Sequence, residues 1–551
     1  MVSAVSRPAK RAPAISSGLD RRTLLAAAGI AALPWRRRAV AEEPRTPASA
    51  PKRGGILNFA TVDAEPPNYD LHGNVSFAAL HPIAPHYSTL LRFDAANYPE
   101  IQGDLAQSWS VSADQLSYIF KLHPNVVFHD GTRLTSADVK ASYERIVRPP
   151  AGVVSARRVN YAAIAAIDTP DPLTVVFHLK WPDASMLANF ASEWNAIYSA
   201  ARLKEDAHFP LAHVMGSGAF TFGEYVKGSH WSGRRFDGYF KPERPYLDGY
   251  RTLFIKTPAV VEAYKSGQIL AEFRGMAPPQ RDALIAAFGD RVTVSESPWL
   301  ANLSIVFNTR RPPFGDARVR RALSLAIDRW GAAERLQHTT FLKYVGGLMR
   351  PGSNLATPEA QLAELPGFGH DIGVSRAAAR QLLGAAGAGD LALGLLVRDI
   401  PMPHYAGAEL LAASWRQVGV STTPQKLPIA DWQQRVDAGD FDVALDFSGD
   451  YFDDPTIQLT KYVSHDLSPV NNSGATDRFL DALYIGQAVT TDPQQRAKIV
   501  RAFEQHALTE ADTVPLLWWN RIVVTAASVR GWSITPSHFI GQDLTDIWLD
   551  E

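Results

Sequence analysis

Apolar and polar positions alternate with a period of two in some segments and recur every three or four residues in others, a mixture that predicts a large α/β body. Gly54-Gly55-Ile56-Leu57-Asn58-Phe59-Ala60 reads as a first strand entered from a glycine turn. Leu105 to Trp109 leads into Leu116 to Leu122, LSYIFKL, whose alternation predicts a half-buried strand. A turn at Asp130-Gly131 ends the next strand. Thr135, with Asp138 three positions later, makes a capping pair for a helix through Ile146, the aspartate standing in for the usual glutamate. Gly216-Ser217-Gly218-Ala219-Phe220 is a tight glycine turn into another strand, and Tyr246 to Lys256 reads as a further one. Asp316 caps a helix in which Val319, Ala322, Leu323, Ala326 and Ile327 form one apolar stripe. Asp492-Pro493 starts a late helix with Val500, Phe503 and Ala507 on one face. Strands and helices are mixed rather than strictly alternating, and there are no heptads and no internal repeat.

Length and charge narrow the class. A chain of 551 residues is long enough for about two to four domains or one large bilobed body. A net charge of −1 gives no electrostatic reason to expect nucleic acid, since phosphate binding needs clustered Lys and Arg in surplus. The chain has no cysteine, which removes disulfides, thiolate catalysis, zinc-thiolate sites and a lipid anchor through an N-terminal cysteine.

The first 41 residues read as an export signal. Asp20-Arg21-Arg22-Thr23-Leu24-Leu25 resembles the twin-arginine motif, an apolar segment runs from Leu24 to Trp35, and Ala39-Val40-Ala41 is a small-residue cleavage site. About twelve apolar residues fall short of the roughly 20 that span a bilayer. The competing reading is a disordered basic tail on a cytoplasmic protein, and Arg36-Arg37-Arg38 between the apolar segment and the cleavage site is untidy for a signal. Residues 42–53 are a Pro-Ala-rich linker. The mature protein is expected to be soluble, exported already folded, and periplasmic.

Several landmarks, in this order, resemble the extracytoplasmic solute-binding proteins of ABC transporters, family 5, the peptide, opine and nickel class. The most specific block is LAQSWSVSADQLSYIFKLHPNVVFHDGTRLTSADVKASYERI, residues 105 to 146. Similar matches follow in GSGAF (216–220), PYLDGY (245–250), FNTRRPPFGDARVRRALSLAIDR (307–329) and TDPQQR (491–496). The resemblance implies a two-lobed α/β periplasmic binding protein fold, type II and cluster C-like, with an extra subdomain in the first lobe. It places lobe I at 54–303 with the subdomain at about 93–215, lobe II at 304–519, and a C-terminal return to lobe I at 520–551. The crossing strands fall near Trp299 to Asn308 and Trp518 to Val524. The implied partners are a small solute or short peptide and the ABC permease, for a monomeric carrier. Two departures, Ser266-Gly267-Gln268 and Arg235-Phe236-Asp237-Gly238, lie away from the expected cleft.

The stretch DFSGDYFDDP, 446 to 455, carries four aspartates among aromatic rings and reads as a loop after a strand. In peptide-binding relatives a similar pattern receives the ligand's ammonium, and Phe447, Asp450, Asp454 and Pro455 match it with one extra residue before the proline. A buried carboxylate makes a charge-assisted bond to an ammonium, sharpened by apolar surroundings. The alternative is a solvated acidic turn with Asp453 and Asp454 as caps. Tyr451 joins the expected site as a neighbouring ring. Glu65 in DAEPPNYD and Tyr87 in HYSTLLRF correspond to positions near the ligand in relatives; an exposed loop charge and a core tyrosine are the competing readings. Trp518 and Trp519 follow VPLL on a strand, so only one can face the cleft; Trp299 stands near the other crossing. An indole there would cover a planar or apolar ligand surface, with a core role as the alternative.

Neither cofactor nor metal is expected. The acidic stretch lacks the ligand order of an EF-hand, and His81 and His86 lack the spacing of a helical zinc pair. There is no G-x-S-x-G elbow, GxGxxG or Walker loop, so the expectation is a binding protein rather than an enzyme. A hidden pair of carboxylates in an exported glycoside hydrolase is the remote alternative. Within the fold class, sugars, opines and nickel chelates remain alternatives to an amine-bearing solute.

Overall fold

A computed structural model describes residues 50–550. The export-signal reading therefore lies outside the described residues, as does most of the linker. Among the described residues an 11-stranded sheet forms the spine of the molecule. Its spatial order is Ser421–Leu427, Ala392–Arg398, Val443–Gly449, Val292–Phe307, Thr513–Ala526, Ala271–Glu272, Ile56–Val62, Gly249–Ile255, His230–Arg235 and Phe220–Val226. Leu342–Tyr344 pairs with Thr513–Ala526 off this path.

The two long central strands run through both halves of that sheet. Thr513–Ala526, TVPLLWWNRIVVTA, is apolar over most of its length because all but its last residue is buried. Val292–Phe307 is exposed or half-buried as far as Pro298 and buried from Trp299 onward. Their antiparallel register pairs Pro298 with Asn520 and next Asn302 with Trp518, so one strand advances four residues while the other advances two. Trp299, Leu300 and Ala301 bulge out between those pairs, next to a proline that has no N–H for the ladder. The Leu300 N–H instead donates to Pro536 O at 2.8 Å.

Separate cores flank the bulge. On one side Leu303, Leu323, Leu395, Trp415, Phe503 and Leu517 pack together; on the other, Leu57, Phe59, Trp231, Tyr250 and Phe273 pack with Val529 and Leu549 from the end of the chain. A third core, including Phe120, Tyr143, Phe177 and Phe190, belongs to a four-stranded antiparallel sheet. Its strands lie in the order Ala106–Val111, Ser117–Leu122, Thr174–Leu179, Ile164–Asp171.

Locally specified elements form where the sequence predicts them. Ser117–Leu122 alternates buried and open positions. The helix Ser136–Val147 carries the Thr135–Asp138 capping box. Asp316 and Asp492 cap Ala317–Leu325 and Pro493–Glu510. Gly216 and Gly218 are tight because a Cβ at either would lie 2.2 or 2.4 Å from the backbone at His86. Three details differ. The segment before Asp130-Gly131 makes only an isolated bridge between Val127 and Arg133. The strand expected from Tyr246 starts at Gly249. The acidic stretch is not all loop, since Val443–Gly449 continues as a strand through its first four residues. Among the described residues no helix is long and apolar enough to cross a membrane.

Candidate ligand site

Strand pairing places the acidic stretch against the bulge. Val443–Gly449 runs antiparallel to Val292–Phe307, with Gly449 opposite Ala301, and parallel to Ala392–Arg398. The Asp450 N–H then donates to Leu300 O at 3.3 Å. Beyond Asp450 the chain crosses to the other cores: Phe452 is buried with Phe93, ring centroids 5.5 Å apart, and Tyr451 meets Trp194 and Phe539 at 6.1 and 5.7 Å.

Three of the four aspartates are neutralised by basic side chains of the chain itself. Asp446 accepts from Arg398 Nη1 at 2.7 Å and from Lys461 Nζ at 3.2 Å. Burial pushes its pKa up, and Lys461 and Arg398 more than reverse this, holding it at about 2. Asp453 accepts from Arg350 Nε at 2.9 Å and pairs with its Nη2 at 2.8 Å. Asp454 pairs twice with Arg496, at 2.9 and 3.0 Å, accepts from Ser185 Oγ at 2.6 Å, and caps the short helix Pro455–Gln458 through the Thr456 N–H. Asp454 is thus both the cap expected of an acidic turn and half of a buried ion pair.

Asp450 differs from these three. Its carboxylate makes no ion pair and no hydrogen bond among the described residues, and burial raises its pKa to about 6, with Lys461 opposing and Asp453 adding repulsion. It faces a cavity of about 10 Å³ lined also by Asn302, Ser448, Gln458, Tyr462 and Trp518. That volume suits one water or one small polar head group. Ser448 Oγ and Gln458 Oε1 at this cavity are buried and have no partner among the described residues. Buried polar groups are normally hydrogen-bonded, so three adjacent unspent groups mark a place built for something else to bind.

The two tryptophans separate across their strand, as alternation requires. Trp518 faces the Asp450 cavity, but its indole N–H is already donated to Gly347 O at 2.9 Å. It therefore offers a ligand only its ring. Trp519 points to the opposite face, where it stacks on Phe447 at 6.1 Å and Phe341 at 5.9 Å and meets Trp299 edge-on at 5.7 Å. Its Nε1 is buried without a partner among the described residues, and so are both ring nitrogens of His404, whose ring lies 6.2 Å from that of Phe447. Phe447 keeps 38% of its surface exposed. Trp299 donates to His538 Nδ1 at 3.2 Å. An aromatic band thus runs from His404 to His538 on the face of the strand opposite the Asp450 cavity.

Two expected residues are engaged elsewhere. Glu65 accepts from Tyr225 Oη and the Gly228 N–H, both at 2.9 Å, which ties the loop after the first strand to the Phe220–Arg235 hairpin. Tyr87 is buried at 5.3 Å from Tyr198, and its hydroxyl accepts from the Met215 N–H at 3.4 Å. Neither lines the Asp450 cavity. Sequence reasoning missed Arg350, Arg398, Lys461 and Arg496, the cations that make Asp450 the exception. Among the described residues no group of three His, Asp or Glu side chains could hold a metal ion.

Comparison with known proteins gives the context. Residues 100–466 match the pattern of the bacterial extracellular solute-binding proteins, family 5. A probable D,D-dipeptide-binding periplasmic protein of Escherichia coli K12 is 26% identical over 472 residues, covering 82% of this chain and 86% of that protein. Heme-binding protein A of Haemophilus influenzae is 24% identical over 478 residues, with 82% and 84% covered. The crystal structure of an ABC transporter substrate-binding protein from Listeria monocytogenes superposes with a TM-score of 0.79 at 21% identity, over 91% of this chain and all of that one. The fold is that of the two-lobed periplasmic binding proteins. With the match extending over more than half its length, this chain belongs to the bacterial extracellular solute-binding proteins, family 5.

Proposed function

We propose that the protein captures a small amine-bearing solute, a short peptide being the leading case, between two lobes outside the cytoplasm and hands it to an ABC permease. The observation that carries this reading is the contrast among the four aspartates. Asp446, Asp453 and Asp454 have cationic partners in the chain, whereas Asp450 faces a cavity of head-group size beside two unspent polar groups. An ammonium donates three hydrogen bonds and carries the charge that Asp450 lacks opposite it. The ligand named for the Escherichia coli relative, a D,D-dipeptide, belongs to the same chemical class.

In this reading residues 54–303 and 520–551 form one lobe, 304–519 the other, and the bulge at Trp299 to Ala301 lies where the chain crosses between them. Asp450 and the ring of Trp518 hold the ligand's ammonium end, with Tyr451 beside them; Trp519, Phe447 and Trp299 form the aromatic wall on the other face of the strand, and Glu65 and Tyr87 hold the first lobe together. No bond is broken; transport uses the different affinities of open and closed states. Residues 1–41 direct export by the twin-arginine route, so replacing Arg21 and Arg22 by lysine is expected to leave the protein in the cytoplasmic fraction.

The test is a thermal-shift and calorimetric screen of free-amine dipeptides to pentapeptides, their N-acetylated forms, opines, oligosaccharides and nickel chelates. A ligand at 100 times its Kd adds about 2.7 kcal/mol of stability. Free-amine peptides are expected to stabilise the wild type, with acetylation and Asp450→Asn each abolishing the effect. Equal stabilisation of both proteins by sugars or chelates would remove the ammonium site and leave the family intact.

A further inference from the structure

A far larger cavity than the one at Asp450 lies on the other side of a single stretch of chain. It encloses about 740 Å³, within the range of roughly 300 to 1,000 Å³ that small-molecule sites occupy. Leu348 lines the Asp450 cavity, whereas Gly346, Gly347 and Met349 line this one. The partition is tight: Trp518 lines the first cavity and donates to Gly347 O at 2.9 Å, and a Cβ at Gly346 would sit 2.9 Å from the same indole.

The helix Arg329–Leu336, capped by Asp328, forms one wall. Trp330, Ala333, Glu334 and Gln337 line the cavity, and that spacing of i, i+3, i+4 and i+7 is one face of a helix. Such a face ordinarily packs against protein; here it fronts open space. Across from it the chain runs from Pro351 to Leu362, and His370 stacks on Trp330 with ring centroids 4.4 Å apart.

The lining sets the sign of the charge that fits. Both rings spend their polar handles on the protein, Trp330 Nε1 donating to Phe368 O at 2.8 Å and the Tyr344 hydroxyl to Asn520 at 3.1 Å. What they leave is π surface, which attracts cations. The Glu334 carboxylate makes no ion pair and no hydrogen bond among the described residues, and Glu359 lies 3.4 Å from His370 Nε2. Lys343 also lines the cavity, but Glu296 answers its charge at 2.8 Å, and Arg335 on the helix lies 3.7 Å from Asp328. An anion would therefore meet carboxylates with no cation to spare. Ser353 Oγ, at the same cavity, is buried without a partner among the described residues. Ala333, Met349, Ala356 and Leu362 supply the apolar part of the lining.

We propose that this cavity is a second binding site, separate from the one at Asp450, for an organic cation with an aromatic or alkyl body. Trp330 and Tyr344 give the cation ring surface, Glu334 and Glu359 give it negative charge, and the apolar residues hold its body. Nothing in this site depends on what Asp450 holds.

The full chain is titrated calorimetrically with benzyltrimethylammonium, benzyl alcohol and phenylacetate, a cation, a neutral molecule and an anion built on one ring, each to about 20 mM. A quaternary ammonium has no N–H to donate to Asp450, which separates the two sites chemically. The cation is expected to bind the wild type at least about tenfold more tightly than the alcohol, and phenylacetate more weakly than either. Glu334→Gln combined with Glu359→Gln is expected to reduce the preference for the cation to about twofold or less; both side chains are exposed, so the melting midpoint should stay native. Asp450→Asn is expected to leave binding of the cation unchanged. Absence of saturable heat from benzyltrimethylammonium in the wild type overturns the proposal, and so does equal affinity for the three probes. An unchanged cation preference in the double variant, or its loss in Asp450→Asn, overturns it as well, because the probe would then be bound elsewhere.

Discussion

Asp450 has a titration that its function would use. Its pKa is raised from 3.8 to about 6 by burial, so in the ligand-free protein the group favours the folded state fully below pH 4. That contribution is lost as the pH rises through 6. Asparagine at this position does not titrate. Ligand-free Asp450→Asn should therefore gain on the wild type between pH 4 and 6 and hold a constant advantage above that, of order 2 kcal/mol, reduced by the partial exposure of the side chain. A bound ammonium reverses the preference by stabilising the carboxylate, so binding at pH 5 releases a proton and affinity rises up to pH 6 before levelling. Denaturation midpoints and proton uptake measured across that range check both signs. A pH-independent difference between the two proteins would show that Asp450 is already paired. The residue was legible in the sequence, because an aspartate among aromatic rings is a local pattern. Its isolation was not, since Arg398, Arg350 and Arg496 lie 48, 103 and 42 positions from the aspartates they neutralise.

Elements were readable where a few neighbouring residues decide them. The helix Ser136–Val147 follows from Thr135 and Asp138: the Asp138 carboxylate accepts the Thr135 N–H at 2.8 Å, and its other oxygen accepts the Ala200 N–H at 2.8 Å. Asp138→Ala removes a cap and leaves the Ala200 donor without that acceptor, an expected cost of about 1 to 2 kcal/mol in urea denaturation. An unchanged midpoint would show that the cap is redundant with packing. Where tertiary pairing decides, local reading failed. DFSG looked like a loop, yet the ladder with Val292–Phe307 draws it into the sheet. HDG looked like the end of a strand, yet only a single bridge forms at Val127. The partners of Glu65 were equally out of local reach, since the hairpin that donates to it lies about 160 residues further on.

At the scale of the whole molecule the site and the fold make one device. A cavity of about 10 Å³ is far below the several hundred Å³ that ligand pockets usually occupy, so a peptide cannot reach Asp450 until the lobes part. Periplasmic binding proteins close about their ligands by a hinge motion. The contacts that must break are visible. Ser185, beside the four-stranded sheet, donates to Asp454 at 2.6 Å, lies 2.8 Å from the Thr456 hydroxyl and accepts from Arg496 at 3.1 Å. Arg496 and Asp454 keep each other in either state, because both lie on the far side of that contact. Ser185→Ala therefore removes one polar link across the crevice and leaves the Ala184 N–H to Ala488 O bond at 2.9 Å and the Asp453 N–H to Tyr98 hydroxyl bond at 2.8 Å. A hydrogen bond to a charged group contributes about 1.5 to 3 kcal/mol, and any part of it lost only in the closed state lowers apparent ligand affinity through the closed fraction, by roughly tenfold or more. The same variant should increase the radius of gyration of the ligand-free protein in solution scattering, and saturating ligand should restore the compact value. The melting midpoint should fall by no more than that bond accounts for, since neither core loses a contact. Wild-type affinity in Ser185→Ala, with an unchanged scattering profile, would mean that closure is driven by the burial of Tyr451 and Phe452 against the first lobe, and that the polar contact follows it.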